Sequence, residues 1–430
     1  MRAYALTLCL LAACGLSHQA AQSERLHCAF QAGAMPARTI AADERLGKDI
    51  PIEHVIFVMQ ENRSFDHYLS ELGDGEGEGE VHTAKPGVSV VDDDGTVYPR
   101  VRAPALCTAD PPHSWSAIHR SWNHGAMDGF ARTTHDGRSM VYYGESELPF
   151  FYSLARTFAL SDMHFASLLG PTFPNRMYFM AATSFGLTSN VFPPPFKPDG
   201  TPYPNLLREL SAHSVDWRVY ADSISEIAIF TDTYGENESR FTDLGGFYTA
   251  AAAGTLPAMS YVEANFVSGG SRTDEHPPSD IQLGEGFLSN VVQAVLHSPN
   301  WRSTALFISY DENGGFYDHV PPPVACAPDA LLPPSEDFAH FGMRVPLIVV
   351  SPFAKRHYVS HTIGDHTSLV RFAEARFDLP AMTARDANAD PLFDLFDWDH
   401  PDYSIPALAA QPLDEVALQA CQSEFTTFVQ

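Results

Sequence analysis

The sequence predicts an α/β fold with a mainly parallel central sheet flanked by helices, and three observations support that prediction. Short apolar runs at 55–59, 305–310 and 345–351 are typical of strands that are buried on both faces. Helix-like stretches, among them 281–297 and 368–377, separate such runs, as the crossovers of a parallel sheet require. The 33 prolines and 28 glycines indicate long structured loops on this scaffold.

The chain of 430 residues is long enough for one large α/β domain or for two ordinary ones. Its hydrophobic content of 45% and aromatic content of 12% are those of a globular protein, which excludes disorder as the main description. Neither an internal repeat nor a domain boundary is evident. Residues 51–430 are therefore predicted to form a single domain.

The chain is strongly acidic, with 26 lysines and arginines against 53 aspartates and glutamates and a net charge of −27. This balance argues against a nucleic-acid partner and against electrostatic attraction to anionic lipid. An anionic substrate therefore requires a site that carries positive charge of its own.

The N-terminus has the pattern of an export signal. Arg2 precedes an apolar run over 3–13 that is too short to span a bilayer. Residues 1–20 are therefore interpreted as a signal peptide, and residues 21–50 as an extended leader into the domain.

Two alternatives for processing stay open. Residues 11–14, which end at Cys14, match the bacterial lipobox, in which the cysteine becomes lipid-modified. Conventional cleavage after Ala20 is the competing interpretation. Both predict export, either to the periplasm or medium or to the outer membrane as a lipoprotein.

Four cysteines remain once the leader is removed, and an even number in an oxidising compartment predicts two disulfides. Three connectivities are open for these residues, and no CxxC or His/Cys cluster indicates a zinc–thiolate site. The four are Cys28, Cys107, Cys326 and Cys421.

Oxygen-bearing side chains follow two of the predicted strands without any intervening turn. Glu61 and Asn62 come directly after the first apolar run, and Asp311 and Glu312 come directly after a later one. In open α/β sheets, ligands bind beyond the carboxyl ends of the strands, so these tips predict a shared divalent metal ion. The alternative at the first tip is a helix N-terminus capped by Asn62 or Ser64.

Thr172 lies in the segment GPTFPNR, just before a buried helix predicted over 177–185. A threonine two residues before a proline is a common cap arrangement. The same position also suits a nucleophile, because the positive end of a helix dipole and its free N–H groups stabilise an alkoxide and a bound phosphate.

Histidines and tryptophans are concentrated in residues 113–130, and a charged turn with two prolines, DEHPP, follows at 274–278. Aromatic side chains with spaced histidines could line a pocket for phosphate or for a quaternary ammonium group. For each of these histidines a surface or structural role is the alternative.

Seven segments, in this order along the chain, resemble the bacterial phosphoesterase family of phospholipases C and related acid phosphatases. The resemblance covers about 52–377, and the first and fifth segments carry its most specific motifs, ENRSFDH and DENGGFYDHV. The segments are IEHVIFVMQENRSFDHY, HSWSAIHRSWNHGAMDGF, GPTFPNR, DEHPP, SYDENGGFYDHV, VPLIVVSP and HTSLVRFAEARF.

The resemblance implies an alkaline-phosphatase-like fold and a metal-dependent phosphoric ester hydrolase. It implies that four residues bind the metal ion, namely Glu61, Asn62, Asp311 and Glu312. The ion itself is left open among calcium, magnesium, manganese and zinc, because an oxygen-only donor set is compatible with all of them.

The resemblance also implies roles around the phosphate. Thr172 is expected to be the nucleophile, and His276 is expected to contact phosphate in catalysis. His113 and His319 are further expected phosphate-binding residues. A threonine nucleophile is more similar to the phospholipase branch of the family than to the phosphatase branch.

Three functions follow as hypotheses. The first is an exported phospholipase C that cleaves phosphatidylcholine-like lipids to diacylglycerol and a phosphorylated head group through a phosphothreonine. The second is an acid phosphatase for soluble phosphomonoesters. The third is a lipid-anchored binding protein without turnover. The expected partner is a phospholipid membrane that serves as substrate.

Overall fold

The computed structural model describes residues 15–74, 81–194, 196–197, 199–266, 272–328 and 338–425. The candidate lipobox at Cys14 and most of the predicted signal peptide lie outside the described residues. Within the described ranges, every helix is too short or too polar to cross a membrane.

The architecture is built on one eight-stranded sheet, whose strands are ordered β13-β6-β12-β11-β1-β10-β8-β9. The remaining described strands form small two-stranded sheets. The strands are β1 (His54–Gln60), β2 (Ser89–Val91), β3 (Val97–Pro99), β4 (Val101–Arg102), β5 (Val141–Tyr142), β6 (Ala159–Ser161), β7 (His164–Phe165), β8 (Trp217–Ala221), β9 (Phe241–Thr242), β10 (Met259–Glu263), β11 (Thr304–Tyr310), β12 (Leu347–Val350), β13 (Tyr358–Ser360) and β14 (Gly364–Asp365).

Helices flank this sheet, as the sequence predicts. They are α1 (His18–Leu26), α2 (Pro36–Thr39), α3 (Phe65–Leu69), α4 (Trp115–Trp122), α5 (Phe130–Thr134), α6 (Pro149–Thr157), α7 (Thr172–Ala181), α8 (Leu206–Ala212), α9 (Thr231–Glu236), α10 (Leu244–Ala253), α11 (Ile281–Leu296), α12 (His366–Phe377), α13 (Ala384–Ala387) and α14 (Glu415–Phe425). The main core contains β1, β10, β11 and β12, whose side chains are almost entirely buried. Burial on both faces explains why these strands are continuous apolar runs.

The predicted mainly parallel sheet is confirmed, with one exception. β1 pairs in parallel with both β10 and β11, and β8 continues the parallel set. β12 runs antiparallel to both β11 and β6. The described part of the connection from β11 to β12 contains no helix, and a parallel pair needs such a crossover.

The leader differs from the prediction of an extended segment over 21–50. Residues His18–Leu26 form helix α1, and a shorter helix, α2, follows. The physical reason lies in a local cap and a tertiary ion pair. The hydroxyl of Ser17 accepts a hydrogen bond from the N–H of Ala20, and Arg25 pairs with Asp390 at 2.7 Å.

Two disulfides are present, and they resolve the three open connectivities. Cys28 pairs with Cys326, and Cys107 pairs with Cys421. The first attaches the leader to the body of the fold, and the second attaches α14. Each closes a loop of about 300 residues, which restricts the unfolded chain.

Candidate active site

The register of two central strands places the predicted metal ligands at one edge of the sheet. β1 and β11 are parallel and in register up to the pair Gln60 and Tyr310. Glu61 and Asp311 are the next residues on each strand, and the N–H of Asp311 donates to the carbonyl of Gln60 at 3.0 Å. The acidic residues that follow β1 and β11 are far apart in the sequence, and they lie together because the two strands are neighbours in the sheet.

A close backbone approach holds the two tips together. Asn62 has a left-handed backbone with φ of 64°, and its N–H donates to Oδ1 of Asp311 at 3.0 Å. Gly314 lies directly against it, because a Cβ there would come within 2.5 Å of the carbonyl oxygen of Asn62. Gly314 has a φ of 60°, so both space and conformation require glycine at this position.

Three buried oxygen atoms at this edge have no hydrogen-bond donor among the described residues. They are Oδ1 of Asn62, Oδ2 of Asp311 and Oε1 of Glu312. Leaving a buried polar atom unpaired costs about 1–3 kcal/mol, so three together indicate a missing ligand. Amide and carboxylate oxygens are the donors that hard divalent cations prefer, and the set therefore fits a divalent metal ion.

Glu61 has a different environment, since arginines contact both of its carboxylate oxygens. Arg176 lies 3.5 Å from Oε1, and Arg272 lies 3.2 Å from Oε2. Arg176 also lies 3.4 Å from Oδ2 of Asp311 and pairs with Glu226. The acidic edge is thus partly neutralised by arginine, which makes it less repulsive to a phosphate.

Burial dominates the proton affinities of the carboxylates at this edge. It raises the pKa of Glu61, Asp311 and Glu312, although Arg176 opposes the rise at the first two. Raised pKa values are typical of carboxylates that lack a full complement of cations. A bound cation would lower all three pKa values.

Thr172 is the first residue of α7 and is nearly buried. The sequence left a capping role open, but the N-cap position belongs to Pro171, and the N–H of Phe173 donates to Oδ1 of Asn190 at 2.9 Å. Thr172 lies one turn before Arg176 on the same face of α7. The contacts of Arg176 with Glu61 and Asp311 therefore bring the N-terminus of α7 to the acidic edge.

His113 and His276 lie side by side at the same edge, but they differ in charge. Nε2 of His113 is 3.5 Å from the amide nitrogen of Asn62, and the two imidazole rings are 5.6 Å apart. Burial lowers the pKa of His113, but the carboxylates of Glu312 and Asp110 more than offset this and raise it to about 10. Burial lowers the pKa of His276 to about 4. At neutral pH the positive charge therefore belongs to His113.

His319 lies in a neighbouring cluster. Its Nδ1 is 2.7 Å from Oδ2 of Asp66, which also pairs with Arg344. Asp66 is in the first turn of α3, and Ser64 caps that helix, as the capping alternative for the first tip anticipated. Nδ1 of His319 is therefore engaged, and Nε2 is the nitrogen that could meet a phosphate.

The structure adds residues to which the sequence gave no role. Arg176 is the most important of them, and its position four residues after Thr172 was the available signal. His366, the first residue of α12, donates from Nε2 to the carbonyl of Asp311 at 2.7 Å. Asp110, which raises the pKa of His113, does not belong to any of the motifs that the sequence analysis singled out.

Histidines and carboxylates also form compact groups in the described chain whose ligand atoms lie within 4.8 Å of one another. The acidic edge is not one of these groups, in accord with Arg176 contacting both Glu61 and Asp311. The groups are Asp110–His113–His276, Asp66–Asp318–His319 and His82–Asp162–His361.

Comparison with known proteins assigns the chain to a family. A family model described as the Phosphoesterase family matches residues 52–380. The chain belongs to the Phosphoesterase family. Phosphoesterases cleave phosphoric esters, so the predicted enzyme class, a phosphoric ester hydrolase, is confirmed.

Relatives in the Phosphoesterase family extend over most of the chain. Phospholipase C B of Mycobacterium tuberculosis is 30% identical over 434 residues, which cover 86% of this chain and 82% of the relative. Non-specific phospholipase C1 of Arabidopsis thaliana is 30% identical over 376 residues, which cover 78% and 69%. A solved structure of a protein in the alkaline phosphatase superfamily from Vibrio parahaemolyticus aligns over 96% of both chains, with a TM-score of 0.39 and 7% identity.

Proposed function

We propose that the protein is an exported, metal-dependent phospholipase C that hydrolyses phosphatidylcholine-like lipids through a phosphothreonine at Thr172. The observation that carries this proposal is that unpaired buried oxygens of Asn62 and Glu312 lie at one sheet edge with a charged imidazole and with Arg176 of α7. The relatives named phospholipase C favour the same reaction. The two disulfides are consistent with export.

The residues that would hold the metal ion are Asn62, Asp311 and Glu312, with Glu61 completing the set. A divalent cation at these oxygens would neutralise charge on the phosphoryl oxygens and lower the pKa of a nearby hydroxyl.

Each step then has a residue in a stated role. The hydroxyl oxygen of Thr172 attacks phosphorus in line with the diacylglycerol oxygen and gives up its proton, the P–O bond to diacylglycerol breaks, and the diacylglycerol oxygen takes up a proton as it leaves. The phosphorylated head group is then esterified to Thr172. The N–H of Thr172 and the positive end of the α7 dipole would stabilise the phosphoryl oxygens, since the N–H of Phe173 is donated to Asn190 and Pro174 has none. Water then cleaves the phosphothreonine, which restores the hydroxyl of Thr172 and releases the phosphorylated head group.

His113 and His276 would bind phosphate in different protonation states. The imidazolium of His113 supplies a positive charge that survives into alkaline solution, because its pKa is about 10. His276 is neutral at pH 7, since burial lowers its pKa to about 4, and its ring can accept or donate one proton. His319 would contact the phosphate through Nε2.

An exposed aromatic surface next to the nucleophile favours a lipid substrate over a soluble one. Phe192 is 58% exposed, and its ring lies 5.5 Å from that of Phe173, the residue after Thr172. Val191 and Phe196 are also about half exposed. Apolar side chains of this kind can enter the interface of a bilayer, and with a net charge of −27 such contacts must replace electrostatic attraction.

The deciding experiment compares two substrates. Phosphatidylcholine vesicles should yield diacylglycerol and phosphocholine, and a soluble phosphomonoester should yield phosphate much more slowly. The opposite preference would establish the acid phosphatase alternative. Rapid acid quenching during phosphatidylcholine hydrolysis, followed by peptide mass spectrometry, should find phosphocholine esterified to Thr172.

A matched pair of variants tests the aromatic surface. Phe192→Ser should raise KM for vesicles about 10-fold, because one buried aromatic side chain contributes roughly 1.5–3 kcal/mol. Its rate on a monomeric short-chain lipid should not change. Val416→Ser on α14, which also replaces an exposed apolar side chain, serves as the control and should leave both rates unchanged.

A further inference from the structure

The His82–Asp162–His361 cluster lies outside the set of residues assigned to phosphate ester cleavage. One ligand atom from each of these three residues lies within 4.8 Å of the others. The two imidazole side chains are about half exposed, whereas the carboxylate of Asp162 is fully buried. Each is separated from the next by at least 80 positions along the chain.

Strand register explains why Asp162 and His361 meet. β6 and β13 pair in parallel, and their last register pair is Ser161 with Ser360. Asp162 and His361 are the next residues on each strand, and the N–H of Asp162 donates to the carbonyl of Ser360 at 3.1 Å. Nδ1 of His361 then lies 2.8 Å from Oδ1 of Asp162.

His82 is brought to the same carboxylate by the backbone. Its N–H donates to Oδ2 of Asp162 at 2.8 Å, and its Nδ1 lies 3.7 Å from that oxygen. Arg344 holds the backbone of both residues in place, because one of its guanidinium nitrogens donates to the carbonyls of His82 and Asp162. The rings of His82 and His361 stack with centroids 4.8 Å apart.

The electrostatic balance of Asp162 is incomplete. Its carboxylate accepts from an amide and an imidazole, and among the described residues no lysine or arginine pairs with either carboxylate oxygen. Arg344 is close, but it contacts the carbonyl of Asp162 instead. A buried carboxylate requires a positive partner. The two half-exposed imidazoles are positioned to bind a cation together with the carboxylate of Asp162.

We propose that the His82–Asp162–His361 cluster binds one divalent transition-metal ion of the zinc type. Two imidazole nitrogens and one carboxylate oxygen are a donor set that suits such ions, whereas calcium and magnesium prefer oxygen alone. Ligand atoms bonded to a tetrahedral ion at about 2.0–2.1 Å are roughly 3.3 Å apart. The distances of 2.8 and 3.7 Å from the imidazole nitrogens to the carboxylate fall on either side of that value.

The ion joins the edge of the sheet to the body of the fold. Arg344, which supports both His82 and Asp162, also binds Asp66 and Asp318 behind α3. Occupancy therefore stabilises the folded state by mass action and takes no part in ester cleavage.

The test uses the full-length protein with saturating Mg²⁺, which occupies an oxygen-only site and competes poorly for imidazole. Co²⁺ is then added as the probe, and its bound equivalents and visible absorption are measured. The wild type and His400→Ala should bind one equivalent that both His82→Ala and His361→Ala lose. His400 is the matched control, because it pairs with a single carboxylate, Asp397, in an exposed position.

A second control separates this cluster from the group around His113. His113→Ala should retain the equivalent that His82→Ala and His361→Ala lose. Zn²⁺ under the same conditions should raise the melting temperature of the wild type and of His400→Ala by several degrees, and that of neither cluster variant. Equal Co²⁺ stoichiometry in all variants, or loss of the equivalent in His113→Ala alone, would overturn the proposal.

The readouts also distinguish this proposal from the proposed function. If the enzyme proves to be a phosphatase, Co²⁺ stoichiometry is unaffected. If the equivalent is missing while vesicles are hydrolysed, the proposed function stands without the additional site. For a variant that fails to fold, copper electron paramagnetic resonance of the wild type provides an independent readout. It should show coupling to two imidazole nitrogens, and signals with oxygen ligands alone would contradict the site.

Discussion

Asp66 and Asp318 are as deeply buried as Asp311 and Glu312, yet the two pairs have different partners. Arg344 donates to both members of the first pair at 3.1–3.2 Å, and His319 supplies a further contact to Asp66. Each member of the second pair retains a buried oxygen that no described residue donates a hydrogen bond to, although Arg176 lies 3.4 Å from that of Asp311.

The proton affinities differ between Asp66 and Glu312, whereas burial prevails over Arg344 at Asp318 and raises its pKa to about 6. Burial raises the pKa of Asp66, but Arg344 and His319 more than offset it and hold the pKa below its usual value. At Glu312 burial prevails over His113, and the pKa is raised well above its usual value. Arg344 therefore makes Asp66 part of the framework, whereas Glu312, which pairs with no arginine among the described residues, is available to a ligand.

The largest effect is expected at Thr172, where substitution should lower the rate of the reaction and leave the stability of the fold nearly unchanged. Thr172→Ala should lower kcat for phosphocholine release by about 10⁴-fold, because the attacking oxygen is lost. Its free energy of unfolding should change by less than about 1 kcal/mol, since Thr172 does not cap α7. Thr172→Ser retains a hydroxyl and is the control. Full activity in Thr172→Ala would show that another residue is the nucleophile.

Arg344→Met should have the next largest effect, and it concerns stability. Removing one partner of a buried ion pair leaves Asp66 and Asp318 without their cation, which costs about 3–5 kcal/mol. Urea unfolding measures this change. Arg240→Met is the control, because Arg240 pairs with the exposed Asp216 and should change stability by less than about 1 kcal/mol. An equal loss of unfolding free energy in the two variants would mean that Arg344 stabilises the fold no more than a surface arginine does.

His276 should make the folded protein sensitive to acid. Its pKa is about 4 in the folded state and 6.5 in the unfolded chain, so the unfolded chain binds more protons between these values. Stability should therefore rise by up to about 3 kcal/mol as pH increases from 4 to 6.5, and it should be lost on acidification. His276→Gln should flatten that part of the stability profile measured by thermal unfolding. An unchanged profile would contradict the burial of a neutral imidazole.

Glu312→Gln should have the smallest effect on stability, and its direction sharpens the comparison. In chelator, replacing a buried carboxylate whose pKa is raised well above its usual value, and which pairs with no arginine among the described residues, by a neutral amide should leave the free energy of unfolding unchanged or increase it by about 1 kcal/mol. Asp318→Asn should instead destabilise, because Arg344 would lose a carboxylate. Destabilisation of the same size in both variants would remove the distinction between the two carboxylate pairs.

Much of this architecture could be predicted from the sequence, because burial on both faces leaves a continuous apolar run. The strands at 55–59 and 305–310 were visible for that reason, and so were the oxygens that follow them. The contact between the tips depends on sheet order, which places β11 beside β1 and is not a property of any local pattern.

Other features could not be predicted because they depend on distant partners. The raised pKa of His113 depends on the fold, which places the distant Glu312 beside it, whereas Asp110 is a local partner three residues away. Helix α1 was missed because its stability comes from Asp390, far away in the chain, as well as from Ser17. The antiparallel β12 depends on a long irregular connection, which carries no periodic signal.

The most direct test of the central claim is calorimetric titration of divalent metal ions into chelator-treated protein, with hydrolysis of phosphatidylcholine vesicles measured at each point. The wild type should bind an ion and gain activity in proportion to occupancy. Glu312→Gln, which removes the charge beside an unpaired buried oxygen, should bind the same ion at least about 10-fold more weakly and require correspondingly more for activity. Unchanged affinity and full hydrolysis in Glu312→Gln would show that the strand tips do not hold the catalytic ion.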